Sequence, residues 1–461
     1  MGAPGIILAA PASGAGKTTV TLGVLAALRR RGVAVGAFKV GPDYIDPAFH
    51  ARAAGGRPCR NLDSWAMRLE TLAGLADEVA AGVELVVGEG VMGLFDGARG
   101  GPGGSGDGST ADLASLLDLR VVLVVDASGM GASAAALVDG FIRHRSDVEV
   151  VGVIFNRVGS PAHAELLRAA CDDRFPHPVL GCLPRDPGLA LPSRHLGLVQ
   201  AAEVPALDAL IARAADLVEA HVDLERLRRL ARPFGLGLHG PPPRPLRPLG
   251  RRIAVAADAA FAFAYPAVLD GWRRAGAGIA PFSPLADEPP APDADAVYLP
   301  GGYPELHAGR LAANSTFLEG LRASAARGAF VYGECGGFMV LGEALVDAEG
   351  GRHVMAGLLP VVASMAAPRL HLGYRGLRLL EPCPLGPAGA GFRGHEFHYA
   401  ALAASGDGAA PLFDARDSRG RELGPVGARV GTVAGSFAHL VDGTAAPARN
   451  RGGPGHLRLV P

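Results

Sequence analysis

The stretch GIILAAPASGAGKTT, residues 5–19, decides how the first half of this chain is read. The apolar run at 5–10 reads as a buried β-strand. The loop PASGAGKTT (11–19) then opens directly into the Ala/Leu-rich segment 18–31, which reads as a helix. Strand, glycine loop and helix in that order make a phosphate cradle. Gly14 and Gly16 let backbone amides approach the phosphates, Lys17 reaches the β/γ-phosphates, Thr18 can ligate magnesium, and the helix N-terminus adds its positive end. Ser13 and Thr19 flank the cradle and fall in the same predicted nucleotide site. The strict pattern asks for glycine at position 11, where this chain has Pro11. The spacing of Gly14, Gly16, Lys17 and Thr18 in a strand–loop–helix context carries the reading instead.

Outward from this stretch, short apolar runs at 33–41, 85–90, 121–128, 150–158 and 178–184 read as further buried parallel strands. Segments near 70–81, 131–145 and 162–173 read as the helices between them. This is a doubly wound α/β pattern, and such sheets bind ligands beyond the carboxyl ends of their strands. Glu89, after LVVG, is placed there as a magnesium-binding or water-ordering acid, and Asp126, after VVLVV, as another. Asn156, in IFNRV, has the donor and acceptor needed to read a purine edge. KVGPDYIDPAFH (39–50) follows the second strand and faces the γ-phosphate side. There Lys39 can stabilise charge in phosphoryl transfer and Asp46 can hold a second magnesium, with Asp43 and Tyr44 on the same predicted substrate-activation loop. GVMGLFDG (90–97) adds Asp96 where a substrate can meet the nucleotide. Taken singly, each acid also reads as a strand-end cap. The glycine-rich stretch 98–110 reads equally as a mobile functional loop or an inert insertion.

The basic residues sharpen this placement. Of 44 Lys+Arg, only Lys17 and Lys39 are lysine. GC-rich codon usage, which replaces Lys by Arg wherever either serves, explains the depletion but not the two survivors, both at predicted phosphate positions, where a compact ammonium fits and a planar guanidinium does not. Overall charge points elsewhere: 44 basic against 45 acidic residues give a net charge of -1, so nothing electrostatic recommends nucleic acid or an anionic membrane as partner. With 49% apolar and 19% charged residues, wholesale disorder is excluded. No apolar run is long enough to span a membrane, and the N-terminus lacks the basic start of a signal peptide. Five scattered cysteines without metal-type spacing predict a reducing, cytoplasmic setting with no disulfide framework and no structural zinc. The length of 461 residues allows two to four domains.

The composition changes at RPFGLGLHGPPPRPLRPLG (232–250), which reads as a proline-stiffened linker. The expected division is 1–232 for the nucleotide domain, 233–250 for the linker, 251–445 for a second domain and 446–461 for a tail. In the second domain VYGECGGFMVLG (331–342) sets Cys335 in a glycine-framed turn between a strand and a helix. A nucleophile there is exposed, the helix N-terminus is expected to lower its pKa, and the amide of Gly336 can stabilise an oxyanion. LPGGYPE (299–305) offers a second oxyanion amide from Gly301 or Gly302. His439, in GSFAHLV, is the candidate base. His395 and His398, in GHEFHY, are its rivals, with substrate contact or structure favoured for them.

Together PASGAGKTT, KVGPDYIDPAFH, EGVMGLFDG, LPGGYPE, YGECGGFM and GHEFHY resemble the cobyrinate/hydrogenobyrinate a,c-diamide synthase family, over nearly the whole chain. The resemblance implies a dethiobiotin-synthetase-like P-loop domain fused to a class I-like glutamine amidotransferase domain. It also implies ATP and Mg2+ as cofactors, a corrinoid and L-glutamine as substrates, and Cys335 with His439 as nucleophile and base; a homodimer is left open. Ordinary class I glutaminases have His-x-Glu, whereas here His439 is followed by Leu440 and Val441, so the sequence does not say what orients His439. Close rivals are a cobyric acid synthase, disfavoured by PDYIDP and GVMGLFDG, and a nickel-sirohydrochlorin a,c-diamide synthase. A rival of another class is a regulatory P-loop ATPase with a non-catalytic second domain.

Overall fold

A computed structural model describes residues 2–98, 106–172, 179–194, 197–235 and 242–444. The first sheet holds seven parallel strands: β1 (Pro4–Ala9), β2 (Val35–Val40), β3 (Arg60–Leu62), β4 (Leu85–Glu89), β5 (Arg120–Asp126), β6 (Val150–Val158) and β7 (Val179–Pro184). Their spatial order is β3-β2-β4-β1-β5-β6-β7. Alternate residues of β1 enter two different cores, Ile6 and Leu8 on one face, Ile7 and Ala9 on the other. That is why the run is apolar without alternation: helices cover both faces of the sheet. Beside β1 the order switches, β4 lying to one side and β5 to the other. The crevice this creates is where the phosphate loop sits.

Helix α1 (Lys17–Arg30) starts on Gly16 at φ 88, a left-handed conformation that glycine adopts readily. Six strands and four helices of this half fall within one or two residues of their sequence expectation. The three-residue β3, with the polar sequence RNL, gave no such signal. Neither did helix α2 (Asp46–Ala53), nor the helix Leu207–His221 that packs on α1 at Gly23, where a Cβ would lie 2.6 Å from the Ala214 carbonyl.

The second sheet runs Gly278–Phe282, Arg252–Ala256, Ala296–Leu299, Phe330–Glu334, Val433–Ser436 and Ala428–Val430, parallel except for the last strand. An antiparallel five-stranded sheet stands beside it, and its central hairpin pairs His371–Leu379 with Gly391–His398. The strand His439–Gly443 completes that sheet, with His439 opposite His395.

The two halves are locked together by buried polar contacts. Arg68 donates to the fully buried Asp442 from its backbone N and its Nη2, both at 2.8 Å, and from its Nε at 3.1 Å. Tyr374 donates to Asp63 at 2.9 Å and stacks on Trp65, over which the Arg393 guanidinium also lies. The proline-rich segment joins this interface. Arg232–Pro233 pairs antiparallel with β1, Leu246 and Leu249 are buried, and the Pro245 carbonyl accepts from the Gly443 amide at 3.0 Å. Most of the 98–110 loop and the 446–461 tail lie outside the described residues.

Candidate active sites

At the carboxyl end of the first sheet the phosphate loop is held from behind by Asn156. Its amide nitrogen donates to the Ala15 carbonyl at 2.9 Å, and a Cβ on Gly16 would lie 2.2 Å from that nitrogen. One amide hydrogen of Asn156 is therefore committed to the loop, a job the purine expectation did not include. Next to it lies a cavity of about 480 Å³ lined by Gly16, Thr19, Asn156, Arg157, Arg185 and Leu217. Ser13 and Gly14 form the exposed crest of the loop.

Behind the loop sits a cluster of buried charge. Lys39 Nζ donates to Asp46 at 2.6 Å, to Glu89 at 2.8 Å and to the Gly90 carbonyl at 3.3 Å. Burial disfavours its charge, but Asp46 and Glu89 outweigh burial and hold the ammonium above its ordinary pKa. Thr18 Oγ1 donates to Glu89 Oε1 at 2.8 Å. The other Glu89 oxygen is 2.5 Å from Nε2 of His50, a fully buried side chain absent from the sequence expectation. Burial opposes charge on His50 too, yet Glu89 raises its pKa to about 10, so it is a cation at neutral pH. Its helix was itself not signalled by the sequence, so its place one turn after Asp46 on α2 shows only in the fold. Lys17 Nζ donates to the Met92 carbonyl at 2.5 Å, and burial, then Lys39, lower its pKa to about 8.

The remaining acids have mainly local partners. Asp43 accepts from the amides of Ile45 and Asp46 and so shapes the turn into α2. Asp96 accepts from the Gly93 amide at 2.8 Å, in a loop whose Gly93 packs against the Pro11 carbonyl. Asp126 is 2.5 Å from Arg157 and accepts from the Ser128 amide, pointing its charge at that pair.

The second site lies where Phe330–Glu334 turns into the short helix Gly336–Leu341. Cys335 sits at the turn with φ 47 and ψ -108, a strained conformation for a side-chain-bearing residue. The helix can start that close because Gly337 has no Cβ, which would lie 2.0 Å from the Leu299 carbonyl. Gly301 is wedged between the proposed partners: a Cβ there would be 3.1 Å from His439 Nε2 and 3.2 Å from Cys335 Cβ. Gly302 N lies 3.2 Å from where a Cβ on Gly336 would stand, so these two backbones run side by side. Cys335 is 2% exposed, and burial pushes its thiol pKa well up. This corrects the expectation of an exposed side chain and a lowered thiol pKa: desolvation exceeds what a six-residue helix supplies. His439 is fully buried, and burial, then His395 and His398, keep its ring neutral.

Tyr44 departs from the loop expected to serve the phosphates. It reaches across the interface, stacks on Phe263 with ring centroids 5.0 Å apart, and lies 4.7 Å from the His439 ring. Its hydroxyl meets Nε2 of His395 at 2.5 Å, and Tyr265 meets the same nitrogen at 2.7 Å. His395 in turn stacks on His439 at 5.3 Å. His398 donates to or accepts from neither partner of this group; its ring stacks on Phe437.

A glycine-loop nucleotide domain joined to a cysteine–histidine domain defines a nucleotide-dependent glutamine amidotransferase. Residues 6–199 match the CobQ/CobB/MinD/ParA nucleotide binding domain, and residues 252–445 match the CobB/CobQ-like glutamine amidotransferase domain. Hydrogenobyrinate a,c-diamide synthase of Brucella anthropi is 54% identical over 440 residues, 95% of this chain and 98% of that protein. The protein of the same name from Rhodobacter capsulatus is 53% identical over 445 residues, 96% of this chain and 99% of that one. The chain belongs to the hydrogenobyrinate a,c-diamide synthase family.

Proposed function

We propose that this protein amidates the a and c side-chain carboxylates of hydrogenobyrinic acid, with ATP as activator and glutamine as nitrogen donor. The observation that carries the reading is one segment, residues 39–47, which runs from the end of β2 into the start of α2. It sets Lys39 and Asp46 behind the phosphate loop and Tyr44 against His439, so the two reactions share a wall.

A carboxylate is a poor electrophile, so phosphorylation must precede attack by ammonia. Lys17 and Lys39 are the fixed cations for the phosphates and the developing charge. The oxygens of Asp46 and Glu89 already converge on one positive group, the Lys39 ammonium, and Thr18 joins them. Such hard donors suit magnesium, and Thr18, Asp46 and Glu89 are the residues that would hold it. When bound, magnesium supplies neutralisation of phosphate charge. Asp43 and Asp96 shape the loops that meet the substrate.

In the second site both partners rest neutral, so the thiolate is made on demand. The Cys335 proton passes to His439 Nε2 as sulfur bonds to the glutamine amide carbon. The oxyanion faces the amides of Gly336 and of Gly301 or Gly302. Ammonia leaves with the proton from Nε2, and water then hydrolyses the thioester to glutamate and free thiol. Ammonia must reach the acyl phosphate before water does, and the aromatic wall of Tyr44, Phe263 and Tyr265 excludes water between the sites. Among the described residues no helix is long and apolar enough to cross a membrane, and all five cysteines are free, which supports the cytoplasm as the setting.

The testing experiment is diamide formation by Cys335→Ala. It should lose glutamine-dependent synthesis and keep synthesis with ammonium salt at raised pH. Undiminished use of glutamine would place the nucleophile elsewhere. Rates on hydrogenobyrinate, cobyrinate and nickel-sirohydrochlorin, measured side by side, should be highest on the first.

A further inference from the structure

We propose that Glu334, the residue before the nucleophile, is the positioning residue for His439 and takes the place of the acid missing from the histidine's own strand. The proposal deepens the glutaminase reading above and rests on it. Two residues beyond His439, where a carboxylate would complete the usual arrangement, stands Val441, itself buried in the core. The last residue of Phe330–Glu334 supplies a carboxylate from the other direction. Glu334 Oε1 accepts from the Leu440 amide at 3.2 Å, fixing the backbone next to His439. Its Oε2 accepts from Tyr298 at 2.9 Å and lies 3.8 Å from His439 Nδ1.

The orientation of the imidazole matches that role. Cε1 and Nε2 lie against Gly301, which Cys335 Cβ also flanks, and Nδ1 lies toward Glu334. The faces of the ring are covered by Tyr44 and His395, neither of them an anion. Both ring nitrogens are buried without a hydrogen-bond partner. A contact of 3.8 Å is too long for a hydrogen bond, but catalytic hydrogen bonds tighten when substrate binds. Closing it needs a shift of about 1 Å. Once Nε2 takes the thiol proton, Glu334 is the carboxylate in reach of the new imidazolium. It selects the tautomer with hydrogen on Nδ1 and leaves Nε2 free to accept.

Burial raises the Glu334 pKa to about 7, with Tyr298, Tyr332 and the Leu440 amide as the groups facing it. The groups facing His439 are Tyr44, His395 and His398, all neutral around pH 7. The carboxylate form is therefore complete only above about 7, and the glutaminase should fall as pH drops through that value.

The test is Glu334→Gln, which preserves size and an acceptor for Tyr298 or Leu440 while removing charge. Glutamine-dependent kcat should fall by up to about 10⁴-fold, in the manner of a triad acid replaced by its amide. KM for glutamine should change little, and the acid limb near pH 7 should vanish. Diamide formation from ammonium salt, which bypasses the dyad, reports on folding and should stay within about twofold. Glu334→Asp should recover part of the rate and restore an acid limb. A Glu334→Gln enzyme with wild-type glutaminase kcat and pH profile overturns the proposal, as does equal loss with ammonia and with glutamine. Cys335→Ala separates the levels: if that variant still uses glutamine, the underlying glutaminase reading fails, whatever Glu334 does.

Discussion

The two reaction centres are built on the same local device and filled in opposite ways. Each is a strand that ends in a glycine-framed turn and opens a helix, one at residues 11–19 and one at 331–342. Behind the first turn stand Lys17, Lys39, His50, Glu89 and Asp46, a permanent network of buried charge. Around the second stand Cys335, His439, His395, Tyr44 and Tyr265, all neutral at rest. The difference follows from the chemistry. A phosphate arrives charged and needs fixed countercharge, already oriented. A glutamine amide arrives neutral, so charge on the cysteine–histidine pair is created for one step and removed again, with the proposed Glu334 carboxylate behind the histidine to steady it.

The contrast breaks most completely at Lys39. Lys39→Met leaves Glu89 and Asp46 facing each other in the core without their shared cation. Loss of one partner from a buried ion network costs about 3–5 kcal/mol, read as a drop in denaturation midpoint, and diamide formation should be abolished. Next is Lys17. Lys17→Arg keeps the charge but not the compact head, and diamide synthesis should fall at least about 10³-fold while glutamine hydrolysis persists. A Lys17→Arg enzyme with normal synthesis would mean that charge alone, not shape, matters there.

Asp63 sharpens the comparison at the seam between the halves. Burial raises its pKa to about 6 against hydrogen bonds from Ala66, Tyr374 and Trp65. The sign follows from the raised value: its stabilising share is full below the ordinary carboxylate range near 3.8 and is lost as pH climbs through about 6. The swing is on the order of 2–3 kcal/mol. Asp63→Asn should flatten wild-type stability between about pH 4 and 6, measured by denaturant titration; an unchanged slope would remove Asp63 as its source. The smallest effect belongs to Tyr44. Tyr44→Ala removes the aromatic wall beside His439, and glutamine hydrolysed per amide formed should rise roughly two- to tenfold, the worth of one aromatic contact. Unaltered coupling would mean that the wall lies elsewhere.

These two centres also differ in how much of them the sequence made legible. PASGAGKTT announces its strand, loop and helix because each local choice agrees with the next. Cys335 was legible for the same reason, since its glycine frame is local. What joins residues across strands was not. His50 carries no signal of its own until α2 folds against β4 and sets it on Glu89. Glu334 reads as one more strand residue until a strand a hundred residues later brings His439 beside it. The thiol pKa was misjudged because helix position is a local property and burial is not. Tyr44 shares a six-residue motif with Asp43 and Asp46, yet a single turn sends it to the other domain.

Asp442, fixed by Arg68 across the interface, lies three residues past His439 on the final described strand. The strand that carries His439 is thus tied at its far end to the nucleotide half, so the setting of the histidine depends on a residue of the other domain. The two halves therefore cannot drift apart without moving the strand that holds His439.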